Sequence, residues 1–360
     1  MKALRYFLYG LLILILLFGL FLLFSTLADY KPKEHITLYE STQPDTLDLA
    51  NRLNLLTWNI GYAGLGKEMD FFYDGGKKVR TTQKNTRRYL KGIGTFLASN
   101  DSIQMILLQE VDARSKRTYH INEVDFLAKL LKIPFHFFAI NYKAFFVPVP
   151  PLEPMGKVKS GLLSFTKFNP VKVERWDFPG SYPWPKSLFM LDRCFMVEHF
   201  IVSNGKELLV INTHNSAFDG GVLKKHEMEY LKNYVTSEYS KGNYVLTGGD
   251  WNQNPPGFDG SAFNKNSGYK NFVLTSIPEG YLPEDWSWAF DPSQPTNRSL
   301  VKAYNPESTA TTILDMFLTS PNIIPGIPKT INLGFENSDH QPVLFSISLQ
   351  KQIRPDIFNK

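Results

Sequence analysis

The sequence predicts an α/β fold in which two mixed β-sheets pack face to face with helices on the outside. Three observations lead there. Short apolar runs that read as buried strands alternate with helical segments between residues 53 and 349. A tight Asn204-Gly205 turn joins two of these runs, 194–202 and 207–213, into a hairpin, which a purely parallel doubly wound sheet would lack. Hydrophobic residues make up 43% of the chain and charged residues 20%, a globular balance rather than a disordered one.

The elements follow in order. Residues 6–28 carry no charge and are mostly Leu, Phe and Ile. As a helix they reach roughly 34 Å, enough to cross a bilayer core. Residues 1–28 therefore read as a membrane anchor. A cleaved signal peptide is the competing reading, with Ser25 to Ala28 as its small-residue site. Lys2 and Arg5 precede the segment, which puts the N-terminus in the cytoplasm and the remainder outside. Residues 29–52 are polar, with Pro32 and Pro44, and read as a linker. Strands are expected at 53–58, 103–109, 161–166, 194–202, 207–213, 243–247, 313–319 and 343–348. Helices are expected at 83–99, where Tyr89, Ile93, Phe96 and Leu97 share a face, at 123–131, and at 221–238. Residues 350–360 form a tail. No internal repeat is visible. With Cys194 as the single cysteine, neither an internal disulfide nor a Cys-ligated zinc site is available. A net charge of +5 over 360 residues is too mild to argue for nucleic acid by itself.

The polar residues at the strand ends carry the chemical signal. The first strand ends in Trp58-Asn59, the second in Gln109-Glu110 and the hairpin in Thr213-His214. The next strand ends in Gly249-Asp250-Trp251-Asn252. Asp315 lies within an apolar run, and Asp339-His340 precedes the last strand. Taken singly, each has a structural reading. Asn59 fits a strand-end amide, Asp250 and Asn252 fit a turn, and His214 fits a satisfied core histidine. Glu110 and Asp315 are harder to place that way, because a carboxylate ending or interrupting a buried strand needs a partner. Together, carboxylates and amides suit Mg²⁺ or Mn²⁺, and histidine beside aspartate suits acid/base chemistry near neutral pH.

The ordered set TWNIG, LLQEVD, INTHNS, GGDWNQ, LDMFLTS and SDHQPV resembles the endonuclease/exonuclease/phosphatase superfamily over residues 53–349. The resemblance implies a DNase I-like four-layer α/β/β/α sandwich and a metal-dependent hydrolase acting on phosphoesters. It implies metal binding by Glu110, Asn59 and Asp339. It implies water activation by Asp250, transition-state support from Asn252, and a phosphate-contacting His340 held by Asp315. His214 matches a second phosphate-contacting histidine, and Arg193 is the candidate for a further phosphate contact. The expected cofactor is Mg²⁺, or Mn²⁺. Substrate identity is expected to lie in the segments 67–80, 144–160 and 176–190, rich in Phe, Trp, Tyr and Pro. They fit either covers on sheet edges or a grip on a lipid headgroup. A nucleic-acid substrate is the alternative, with Lys77, Lys78, Arg80, Lys157 and Lys159 supplying charge. No feature calls for an obligate protein partner.

Overall fold

The computed structural model describes residues 2–217, 221–263 and 275–351, so the expected tail lies outside them from residue 352 onward. The helices are α1 (Lys2–Leu27), α2 (Gln83–Ala98), α3 (Glu123–Leu131) and α4 (Val222–Ser240). The strands in the first half are β1 (His35–Glu40), β2 (Thr46–Leu47), β3 (Leu53–Asn59), β4 (Met105–Asp112), β5 (Phe135–Val147), β6 (Gly156–Thr166) and β7 (Lys172–Asp177). Then come β8 (Cys194–Val202), β9 (Glu207–His214), β10 (Tyr244–Asp250), β11 (Ser287–Ala289), β12 (Asn297–Arg298) and β13 (Thr311–Thr312). The last are β14 (Asp315–Thr319), β15 (Ile323–Pro325), β16 (Lys329–Thr330) and β17 (Val343–Leu349).

Two sheets form the body. One runs β1-β7-β8-β9-β10-β14-β11, with β2 beside β8; the other runs β15-β17-β3-β4-β6-β5, with β16 beside β17. Each holds a parallel pair flanked by antiparallel strands. β3 and β4 are joined through α2, and β9 and β10 through α4. Parallel neighbours need such a crossover, whereas β8 and β9 need only their short turn.

Side-chain alternation builds the layers. Leu53 and Leu55 of β3, Met105 and Leu107 of β4, Leu208 and Val210 of β9, and Tyr244 and Leu246 of β10 meet between the sheets. The intervening Leu56, Trp58, Ile106 and Leu108 face α2 and α3, where Tyr89, Ile93, Leu97 and Leu127 cover them. On the far side Leu209, Ile211 and Val245 pack beneath Met228, Leu231 and Val235 of α4. The order is helix, sheet, sheet, helix. Thr82 caps α2 by accepting from Asn85 N (3.2 Å), and Asn122 caps α3 by accepting from Asp125 N (3.4 Å).

Several segments differ from the sequence reading, which assigns no strand to β1, β2, β5, β7, β11, β12, β13, β15 or β16. Residues 35–40, within the expected linker, form β1 and pair with β7 at the sheet edge. Residues 172–177 form β7, which the sequence reading left unassigned. Part of the expected 144–160 loop extends β5 and β6 as a long hairpin. Register shifts after Ile140 and Ala144 break the two-residue period in β5, so alternation does not reveal it.

Helix α1 is long and apolar enough to cross a membrane. Its last turns touch the domain. Phe24 meets Phe145 at 4.6 Å between ring centres, and Phe21 stacks on Phe189 at 5.8 Å.

Candidate active site

The site is the polar end of the inter-sheet core. Following the inward positions along each central strand, apolar residues give way to polar ones. β3 reads Leu53, Leu55, Thr57, Asn59, and β9 reads Leu208, Val210, Asn212, His214. β10 reads Tyr244, Leu246, Gly248, Asp250, while β14 enters from the opposite direction with Asp315 ahead of Phe317. A buried amide layer separates core from site. Gln109 Nε2 donates to Thr57 Oγ1 (3.1 Å) and Asn212 Oδ1 (2.8 Å), and Asn212 Nδ2 donates to Ser164 Oγ (3.3 Å). These bonds satisfy polar groups whose burial would otherwise be costly.

Glu110 breaks the parity. Alternation alone would send it toward the helices. A bulge between Leu108 and Val111, with Glu110 at φ +53°, turns it to the site instead. Its carboxylate lies 3.5 Å from Asn59 Nδ2 and 3.9 Å from His214 Nε2.

Asp250 is the hub. Its Oδ2 accepts from Asn59 Nδ2 at 2.9 Å and lies 3.4 Å from His214 Nε2 and 3.7 Å from His340 Nε2. Its Oδ1 accepts from Asn252 N at 2.9 Å. Burial alone would raise the Asp250 pKa. The charge of His340 and the Asn59 and Asn252 hydrogen bonds overcome it and hold the carboxyl below its usual range. The two preceding glycines serve different needs. A Cβ on Gly248 would strike the Phe317 ring, and Gly249, at φ +155°, has the Thr213 carbonyl oxygen where its Cβ would sit. Trp251 buries its ring beneath α4 and donates to Met316 O (3.1 Å). Asn252 follows at φ +50°, its Nδ2 donating to Asn215 O at 2.8 Å.

His340 and Asp315 form a buried dyad, Nδ1 to Oδ2 at 2.7 Å. Burial disfavours the imidazolium. The charges of Asp315 and Asp250 and the Asp315 hydrogen bond prevail, holding His340 protonated with its pKa well above the usual imidazole value. His214 behaves oppositely. Burial, with the charges of Arg193 and His340, keeps its pKa well below normal, so it is neutral. Two histidines at one site thus carry different charge. The loop bearing His340 is pinned to β3 by Trp58 Nε1 donating to His340 O (2.9 Å) and Ser338 Oγ donating to Asn59 O (2.8 Å).

Asp339 and Glu110 are the carboxylates with the weakest pairing. Burial raises the pKa of each, and the Asp339 charge adds to the rise at Glu110. The nearest histidine nitrogens are His340 Nε2 at 4.0 Å from Asp339 and His214 Nε2 at 3.9 Å from Glu110. Such a pair of oxygen donors fits a hard divalent cation. Asn59 presents its NH₂ to Glu110 and Asp250 while its oxygen accepts from Gly61 N (3.0 Å), so it orients carboxylates in this arrangement. Asp250, Asp315 and His340 also have ligand atoms within 4.8 Å of one another and could hold a metal ion, with Asp315 and His340 hydrogen-bonded to each other. Arg193 stands at the rim, donating to His214 O at 3.3 Å. All nine residues singled out from the sequence therefore gather at one end of the sandwich.

Three further groups were not visible in the sequence. The Asn297 amide lies 2.9 Å from His340 Nε2, brought there by a bridge between Asn297 and His340. The contacting amide atom is Nδ2. Asp74, from the 67–80 segment, is pushed up to about 7 by burial and by the charges of Asp339 and Glu110. Arg117 is buried behind Glu110, paired with Asp112 (2.8 Å) and 3.6 Å above the Tyr62 ring. No local pattern marks these residues, because each arrives through tertiary packing.

No family model matches the chain, and no curated protein matches it in sequence. Solved structures do. An endonuclease/exonuclease/phosphatase from Beutenbergia cavernae superposes with a TM-score of 0.57 at 15% identity, covering 83% of this chain and 72% of that one. TDP2 from D. rerio, complexed with a single-strand DNA product, gives 0.52 at 16% identity, covering 82% and 98%. A mannosyl-6-phosphatase from Bacteroides thetaiotaomicron gives 0.51 at 12% identity, covering 82% and 99%. The chain has the DNase I-like α/β/β/α fold of the endonuclease/exonuclease/phosphatase structures.

Proposed function

We propose that the chain is a divalent-metal-dependent phosphoester hydrolase, held at a membrane by α1, with a lipid or inositol-type headgroup as its preferred substrate. The observation that carries the hydrolase reading is the approach of Asp250 Oδ2 to Nε2 of the Asp315-held His340 at 3.7 Å, with the Asp250 pKa held below and the His340 pKa well above its ordinary value. Groups with divergent pKa values at one site are the usual arrangement for acid/base chemistry.

Glu110 and Asp339 would hold Mg²⁺ or Mn²⁺, which when bound supplies positive charge to a phosphoryl oxygen. The protein's own groups do the rest. Asp250 Oδ2 orients a water and takes its proton as attack begins. His340 Nε2–H donates to a phosphoryl oxygen and offsets the charge growing there. Asn252 has a second N–H free for the same purpose, since only one is needed by Asn215. Neutral His214 donates from Nε2, and Arg193 guides the anionic substrate to the rim.

The headgroup preference is supported by the apolar helix and by aromatic segments at the site's end of the domain. With Lys2 and Arg5 on the cytoplasmic side, the domain lies outside the cytoplasm. A nuclease is the second reading, supported by the likeness to TDP2 bound to a DNA product. A panel of plasmid DNA, RNA, sphingomyelin, phosphoinositides and bis-p-nitrophenyl phosphate, with Mg²⁺, Mn²⁺ or EDTA, separates them. Headgroup release that stops in EDTA and in Asp250→Ala and His340→Ala supports the proposal. Rapid DNA nicking without lipid cleavage favours the nuclease, and unchanged turnover in both variants overturns the site.

A further inference from the structure

We propose that the domain docks its active-site end onto the same bilayer that α1 spans, through the β5–β6 hairpin and the loop between β7 and β8. Both segments leave the sandwich at that end. Ser160 of β6 pairs with Asp112, two residues past Glu110, and the hairpin tip lies beyond it. Phe195 of β8 pairs with Thr213, next to His214, and the loop from 178 to 193 lies beyond that.

The tips of these segments are apolar and uncovered. Leu152 is fully exposed, Trp184 is 61% exposed, Phe145 49% and Val149 36%. Contiguous apolar exposure of this kind marks an interaction surface. Helix α1 identifies the occupant, because its last two turns run through the same patch. Phe24 packs edge-on against Phe145, Phe21 touches Phe146 (6.1 Å) and Phe189, and Trp184 Nε1 donates to Thr26 Oγ1 at 3.2 Å. Ser25 is buried by these contacts.

Depth follows from helix geometry. At about 1.5 Å per residue, Phe24 lies about 4.5 Å and Phe21 about 9 Å below the end of α1 at Leu27. The 26 residues of α1 make a helix about 39 Å long, roughly 9 Å longer than the hydrocarbon core. Lys2 to Arg5 take about 6 Å of that excess at the cytoplasmic face, so the end of α1 falls in the interfacial layer, with Phe24 at its lower edge and Phe21 and the rings packed on it in the outer hydrocarbon. The chemistry at the interfacial end matches. Tyr30 and Tyr182 carry Lys143 and Lys186 against their rings, at 5.0 and 4.0 Å, beside Trp184. Aromatic rings with lysines reaching outward are what the headgroup zone selects. Docked this way, the site draws substrate from the bilayer surface rather than from bulk water. The docking rests on α1 being retained and spanning the membrane, and not on the catalytic assignment.

The test places an environment-sensitive fluorophore on Leu152→Cys and Trp184→Cys in the full chain reconstituted into phosphatidylcholine vesicles. Cys194 is buried with its thiol pushed up to about 11, so it stays unlabelled. Leu14→Cys in α1 and Ser203→Cys in the β8–β9 turn at the other end serve as references. The expected result is blue-shifted emission from both loop labels and its loss to phosphatidylcholine spin-labelled near the headgroup, with the Ser203 label unaffected. Loop labels that remain aqueous while the Leu14 label is lipid-embedded overturn the docking and leave the anchor standing. An aqueous Leu14 label overturns both. A blue shift that lipid quenchers do not touch, and that disappears as protein is diluted in lipid, assigns the patch to a second copy and also overturns the proposal.

Discussion

Replacing Glu198 with glutamine should stabilise the protein at alkaline pH and leave it nearly unchanged in mild acid. Glu198 sits on β8 in line with Met196 and Phe200, facing the opposite sheet, with Val173 and Val210 as its cross-strand neighbours. It is 1% exposed, and neither carboxyl oxygen has a hydrogen-bond partner at ordinary length. Burial pushes its pKa from 4.5 up to about 7, with the Ser164 hydroxyl pulling only weakly the other way. The folded state thus keeps a proton that the unfolded chain releases. Stability from this group is complete below about 4.5 and is lost as pH rises through about 7. Integrating between pH 5 and pH 8 gives a loss of about 2.5 kcal/mol. Glutamine has the same shape and no proton to lose. Denaturant unfolding of both proteins at pH 5 and pH 8 should show that difference, the variant being the more stable at pH 8. The histidines and other carboxyls titrate in both proteins and cancel. An equal pH dependence in wild type and variant would refute the assignment of a neutral, buried Glu198.

Other perturbations reach the site. Asp250→Asn should lower kcat on bis-p-nitrophenyl phosphate by on the order of 10²–10⁴-fold, the range for losing a positioned base. Asn59→Ala should weaken Mg²⁺ by on the order of 10–100-fold, read from the concentration giving half-maximal turnover, because a residue orienting metal-binding carboxylates is lost. EDTA should abolish turnover, and Mg²⁺ or Mn²⁺ should restore it. Gly249→Ala should cost about 1–3 kcal/mol or more in a denaturant titration, since its Cβ has no room against Thr213 O.

Much of this arrangement could be seen in the chain because it is local and periodic. Strand β3, helix α3 and the β8–β9 hairpin are each specified by their own residues, and the structure places them within a residue or so of expectation. Asn59, His214 and Asp250 were also visible as polar residues ending apolar strands, whereas Asp315, expected inside a strand at 313–319, begins β14. What could not be seen depends on exceptions to periodicity or on distant partners. The bulge that turns Glu110 leaves no clear signature, and its site position came from resemblance rather than alternation. β1 and β7 pair at a sheet edge, where burial is partial and the pattern correspondingly faint. Asn297 lies in the two-residue strand β12 and Asp74 in a single 3-10 turn, elements too short to leave a periodic pattern and placed by what they pack against.

The run of each central strand from apolar to polar ties activity to strand registry. A slip of one residue in β3, β9 or β10 would bring Trp58, Thr213 or Gly249 into the inward position and send the apolar partners of the core to the opposite face. No misaligned pairing would keep half a core and half a site. The proposed hydrolytic activity, per mole of chain, should therefore count correctly folded molecules directly. That gives a sensitive measure of refolding yield for a protein whose apolar helix complicates every optical one.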